Sequence, residues 1–126
     1  MKVKRQELKA ANSAFSAILG QPIESKLSYR ICRVADKVMK ALEEVEKVNR
    51  ALVTEYGVKN GDRISVPEAK MKDYRDALEK KMQEEVELDI VPIPWEIIEK
   101  GGAKISGFDM ASMFKFVEGP KDVQVL

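Results

Sequence analysis

Any reaction run by this chain would have to do without histidine, because the sequence contains none. That removes Ser-His-Asp and Cys-His catalysis, histidine metal sites and imidazole acid–base work. The one cysteine, Cys32, has no second thiol for a disulfide or a multi-cysteine metal site. Without an activating imidazole it reads as a small packing residue, in a reducing, intracellular setting. Carboxylates cluster as Glu43/Glu44/Glu46 and Glu84/Glu85/Glu87. At helical spacing such neighbours point in different directions around the axis, which suits solvated surface better than a cage for Mg²⁺ or Ca²⁺. Gly101-Gly102 lacks the strand–loop–helix setting of a phosphate loop and reads as a turn. The chain is expected not to be an enzyme and to use no cofactor or metal.

The cations are unevenly placed. Formal net charge is +1 from 22 Lys+Arg and 21 Asp+Glu, so no global field calls for nucleic acid or a membrane. Yet residues 1–40 hold nine basic and three acidic side chains, net +6, against −5 for the remainder. Lys2, Lys4, Arg5, Lys9 and Lys26, joined by Arg30, Arg33, Lys37 and Lys40, would form a basic patch if the first two helices lay side by side. Tyr29 would be its stacking group. A nucleic-acid-binding regulator using this basic N-terminal third is the alternative functional reading.

The elements that must position these residues follow from apolar spacing. At 126 residues, with 44% hydrophobic and 34% charged, the chain is one soluble domain, expected over 1–119 with a flexible tail at 120–126. Its longest uncharged run, residues 10–23, is too short and polar to span a bilayer, and no signal peptide is expected. Leu8, Ala11, Phe15, Ile18 and Leu19 make one helical stripe, stopped by Gly20 and Pro22. A long second helix runs from an N-cap at Ser25 to Tyr56. Its seam, Leu27, Ile31, Val34, Val38, Ala41, Val45, Val48 and Leu52, keeps a strict 4-3 spacing that demands a partner helix. Asn60-Gly61 predicts a tight turn, and Ser65 with Glu68 a capping box opening a third helix through Val86. "ELDIV" reads as a strand. Ser106 with Asp109 opens a last helix through Phe108, Phe114 and Val117.

Charge order predicts how the long helices meet. Lys37 and Lys40 precede Glu43, Glu44 and Glu46 along the second helix, against its macrodipole. The third helix has the same order, Arg75 before Glu84 and Glu85. An antiparallel hairpin would bring Lys37 and Lys40 to Glu84 and Glu85, and Glu44 and Glu46 to Arg75. The fold class expected is mainly α, with minor α+β character. A long antiparallel helical hairpin is packed by an N-terminal and a C-terminal helix, and one small β-sheet of "MKVK", "RISV" and "ELDIV" caps an end. The longer second helix would overhang the third, so Leu27, Tyr29, Arg30, Ile31, Arg33, Val34 and Lys37 are the candidate partner-binding residues.

The order "MKVK", "KLSYRI", a charged heptad helix ending in "EYG", "EVELDIVPIP" and "ISGFDMASMFKF" resembles a small uncharacterised protein family of tailed bacteriophages and prophages. The resemblance runs from Met1 to about Val117 and carries no catalytic residue. It implies a non-enzymatic accessory protein acting through protein–protein interaction, in virion or tail assembly or on a host protein. Its setting would be the bacterial host cytoplasm or the virion, with a phage structural protein, a host protein or a second copy as partner.

Overall fold

The computed structural model describes residues 1–120, so the expected tail lies outside the described residues from position 121 onward. In chain order the elements are β1 (Lys2–Lys4), α1 (Arg5–Leu19), α2 (Ser25–Tyr56), β2 (Val58–Asn60), β3 (Arg63–Ser65), α3 (Glu68–Gln83), β4 (Glu85–Glu87), β5 (Ile93–Pro94), α4 (Trp95–Lys100), α5 (Gly107–Ser112), a 3₁₀ turn (Phe114–Phe116) and β6 (Val117–Glu118). The molecule is mainly helical, with small sheets.

Helix α2 is the spine, 32 residues long and so about 48 Å from end to end. Its seam finds two partners in succession. Leu27, Ile31, Val34 and Val38 are buried in one core with Leu8, Ala11, Ala14, Phe15 and Ile18 of α1. Beyond Val38 the partner is α3, and Ala41, Val45 and Val48 are only half-buried there. Asn49 accepts from the Tyr74 hydroxyl at 2.7 Å, in the register expected of the hairpin. α3 itself has no fully buried residue. The overhanging end of the seam is therefore its best-covered part, because the packing N-terminal helix α1 and the C-terminal segment both close over it. Ile93, Ile98, Met113 and Phe116 supply that second cover, and the Phe15 and Phe116 rings meet edge-to-face at 5.5 Å.

Three two-stranded sheets replace the single one expected. β1 pairs antiparallel with β4, Val3 opposite Val86, and clasps the N-terminus to the exit of α3. The clasp lies beside the middle of α2, since Arg5 and Gln6 share a groove with Met39 and Leu42. β2 and β3 form their own hairpin at the far end of α2. Gly61 has φ 66°, the positive value a two-residue hairpin turn needs at its first position. β5 and β6 pair in parallel. "RISV" is thus far from "MKVK", and the strand within "EVELDIV" ends at Glu87.

Several local expectations change with it. Glu24, not Ser25, is the N-cap of α2. The Ser65–Glu68 capping box does not form, because Ser65 is held opposite Val58 in the hairpin and Pro67 takes the N-cap position. Ser106 does cap α5, accepting from the Asp109 N–H at 3.1 Å. That helix stops at Ser112, and the 3₁₀ turn after it shortens the period from 3.6 to three residues. Met113 and Phe116 therefore point inward together, while Phe108 and Phe114 are exposed.

The expected α2–α3 ion pairs are absent among the described residues. Glu84 binds Arg5 at 2.6 Å, Lys40 binds Asp36 within its own helix, and Glu44 binds Lys47. Exposed pairs contribute only a few tenths of a kcal/mol, too little to dictate which helix faces which.

Candidate functional site

The seven candidate partner-binding residues divide by helical phase. Leu27, Ile31 and Val34 are buried in the core and hold the fold. Tyr29, Arg30, Arg33 and Lys37 project from the flank of the same helix and line a groove of about 310 Å³, with Val34 at its floor. The opposite wall is Ile90 and Val91, from the segment that follows β4. Sequence reading missed these two. The period-two apolar run marked the segment, but only the β1–β4 pairing carries it across α2.

Each side chain has a defined setting. Tyr29 is 63% exposed and Val91 72%, so the groove presents apolar surface to solvent at both lips. The Arg33 Nη1 donates to the Tyr29 hydroxyl at 3.1 Å, and its guanidinium carbon sits 5.8 Å from the ring centroid. That hydrogen bond, with Asp36 nearby, holds the Arg33 pKa above its ordinary value, so its charge is permanent. Lys37 donates to the Asp89 carbonyl oxygen and lies 3.9 Å from its carboxylate, which pins the 88–92 segment to α2. Among the described residues, neither Arg30 nor Arg33 has a carboxylate within 4.0 Å. Two guanidinium forks without a carboxylate partner among those residues, beside a tyrosine and a valine, suit an anionic oxygen next to an apolar or aromatic group.

The alternative basic patch is not assembled as one surface. Lys2 faces Glu87 and Lys4 faces Glu85 across the β1–β4 ladder, while Arg5 is bound to Glu84. The N-terminal ammonium takes Glu87 at 2.8 Å. Lys26 sits at the other end of α1, between Glu24, Glu96 and Lys100. Arg5 opens α1 and Lys26 lies beyond its last residue, Leu19, which is about 21 Å further along the axis. Lys9 lies apart again, in a second groove with Glu43 and Glu46.

Among the described residues, no group of three or more Cys, Asp and Glu side chains is placed to hold a metal ion, and no helix is long and apolar enough to cross a membrane. No protein-family model matches the chain, and no curated protein or solved structure matches it either.

Proposed function

We propose that the protein is a non-enzymatic binding module whose Tyr29–Lys37 groove takes an acidic, aromatic- or apolar-tipped segment of another protein. The observation that carries this reading is the pair of unpaired guanidiniums, Arg30 and Arg33, flanked by exposed Tyr29 and Val91. Arginine and tyrosine are the side chains that most often dominate protein–protein contacts, because they bring large rigid area and charge-assisted hydrogen bonds together. An accessory role in a tailed phage or prophage, in assembly or at a host protein, is part of the proposal and rests on the sequence resemblance alone. Protein is favoured over nucleic acid as the partner because Lys2, Lys4 and Arg5 are each faced by a carboxylate, which removes the extended phosphate track a nucleic acid would follow.

The test uses two labelled probes, a short Asp/Glu-rich peptide with a central Phe and a single-stranded oligonucleotide, in fluorescence anisotropy at low salt. The peptide is expected to bind, and the Arg30→Glu/Arg33→Glu variant to lose at least about tenfold in affinity. Arg33 is exposed and Arg30 half-buried, so circular dichroism of the variant should be unchanged if the loss belongs to the groove. Binding of the oligonucleotide alone would establish the regulator reading instead. Failure of both probes would remove the groove as a site.

A further inference from the structure

A second groove, independent of the first, runs along the other flank of α2 where α1 and the end of α3 converge. It encloses about 530 Å³. Its floor is apolar: Met39, Leu42 and Val45 from α2, and Met82 from α3. Met39 is 49% exposed, although it sits beside the seam in the middle of the molecule. The two long edges carry opposite charge. Arg5 and Lys9 stand on the α1 edge, with Gln6 and Asn12 between and beyond them, and Glu43 and Glu46 stand on the α2 edge. Arg5 is already bound to Glu84. Lys9, Glu43 and Glu46 have no oppositely charged group within 4.0 Å among the described residues.

We propose that this groove receives an amphipathic α-helix of another protein, with an apolar stripe on the floor, acidic residues toward Lys9 and basic residues toward Glu43 and Glu46. Shape and charge both favour a helix. The lining residues 5–12 of α1 and 39–46 of α2 each cover two turns, about 10 Å, which matches two turns of a guest helix. Met39 and Met82 at the floor are unbranched and polarisable, able to repack around an incoming leucine. An anionic lipid tail or a small acid would use the cationic edge and leave Glu43 and Glu46 desolvated without a partner, at a cost to binding. A helix with one acidic and one basic flank satisfies both edges at once. This is the helix-in-groove mode of recognition, with i, i+3, i+4 and i+7 anchors.

Three labelled helical peptides of about 16 residues test it, all with leucine at those four anchors. One has a glutamate flank and a lysine flank, one has glutamate on both flanks, and one has lysine on both. The wild-type protein is expected to bind the mixed peptide best, by roughly tenfold over either uniform one. Lys9→Glu replaces a cation of the α1 edge by a carboxylate, with Arg5 still held by Glu84, and it should switch the preference to the all-lysine peptide. A switch of preference cannot arise from a loss of folding. Methyl NMR shifts confined to Met39, Leu42, Val45 and Met82 should accompany binding. Equal binding of all three peptides, no binding of any, or a preference that Lys9→Glu leaves unchanged would overturn the proposal. So would a concentration-dependent dimer whose contact buries Met39, since the occupant would then be a second copy. Arg30→Glu/Arg33→Glu should leave this peptide's affinity intact, which separates the outcome from that of the first groove.

Discussion

Gly101 shows how tightly single residues are set where the chain returns to α2. It is buried, its N–H donates to the Ile97 carbonyl, and its carbonyl accepts from the Glu24 N–H at the entrance to α2. A Cβ there would lie 2.7 Å from Leu27 Cβ and 2.9 Å from the Ile97 oxygen. Gly101→Ala should therefore lower stability by about 1–3 kcal/mol, read as a fall in the urea midpoint without a change in slope. Gly102→Ala meets no neighbour, and its penalty should come from the positive φ of 75° alone, roughly 1 kcal/mol. At this scale the sequence was partly legible. Ser106–Asp109 and Gly61 were found because a cap and a tight turn are decided by a few adjacent residues. Ser65–Glu68 failed because strand pairing with Val58, invisible locally, claimed the serine. Arg30, Arg33 and Lys37 were singled out from their helix, whereas Ile90 and Val91, which line the same groove, were not.

The elements differ sharply in how firmly they are held. α1 buries five residues completely, whereas α3 buries none and is fastened to α2 by half-buried side chains and the Tyr74–Asn49 hydrogen bond. Native-state hydrogen exchange should find α3 and residues 45–56 of α2 opening at lower free energy than α1 and residues 27–38. Equal protection in both regions would show that the arm is as cooperative as the core. The 4-3 seam announced a long helix with helical partners inside the chain. The ion pairs between the helices were not legible. Charge order misdirected those pairs, since flexible exposed ions settle on the nearest opposite charge, as Lys40 did with Asp36 and Arg5 with Glu84. Strands three residues long were harder still, because only tertiary contacts decide their pairing.

Across the whole molecule, three carboxylates tie together pieces far apart in sequence. Glu84 binds Arg5, Glu87 binds the N-terminal ammonium, and Glu7 binds Lys115 at 2.9 Å. Hydrogen bonding to Arg5 lowers the Glu84 pKa, and bonding to the ammonium lowers that of Glu87. At Glu7 burial pushes upward, yet the Lys115 and Lys4 hydrogen bonds outweigh it and the net shift is down. A depressed carboxylate pKa contributes stability above its ordinary value of 4.5, and that contribution disappears as pH falls through the folded-state value. Urea midpoints should hold near neutral pH and fall below about pH 4.5, and Glu84→Gln/Glu87→Gln should flatten that fall while lowering stability at neutral pH. An unchanged slope would show that these clasps contribute nothing.

The unbroken length of α2 has a consequence for any two guests. The first groove is built on residues 29–37 and the second on 39–46 of one continuous helix. At 100° and 1.5 Å per residue they are offset by roughly 14 Å along the axis and by about half a turn around it, one on either side of the buried seam. The helix thus acts as a rigid spacer. It would hold two occupants back to back at a set distance and angle, with no hinge to let either drift toward the other.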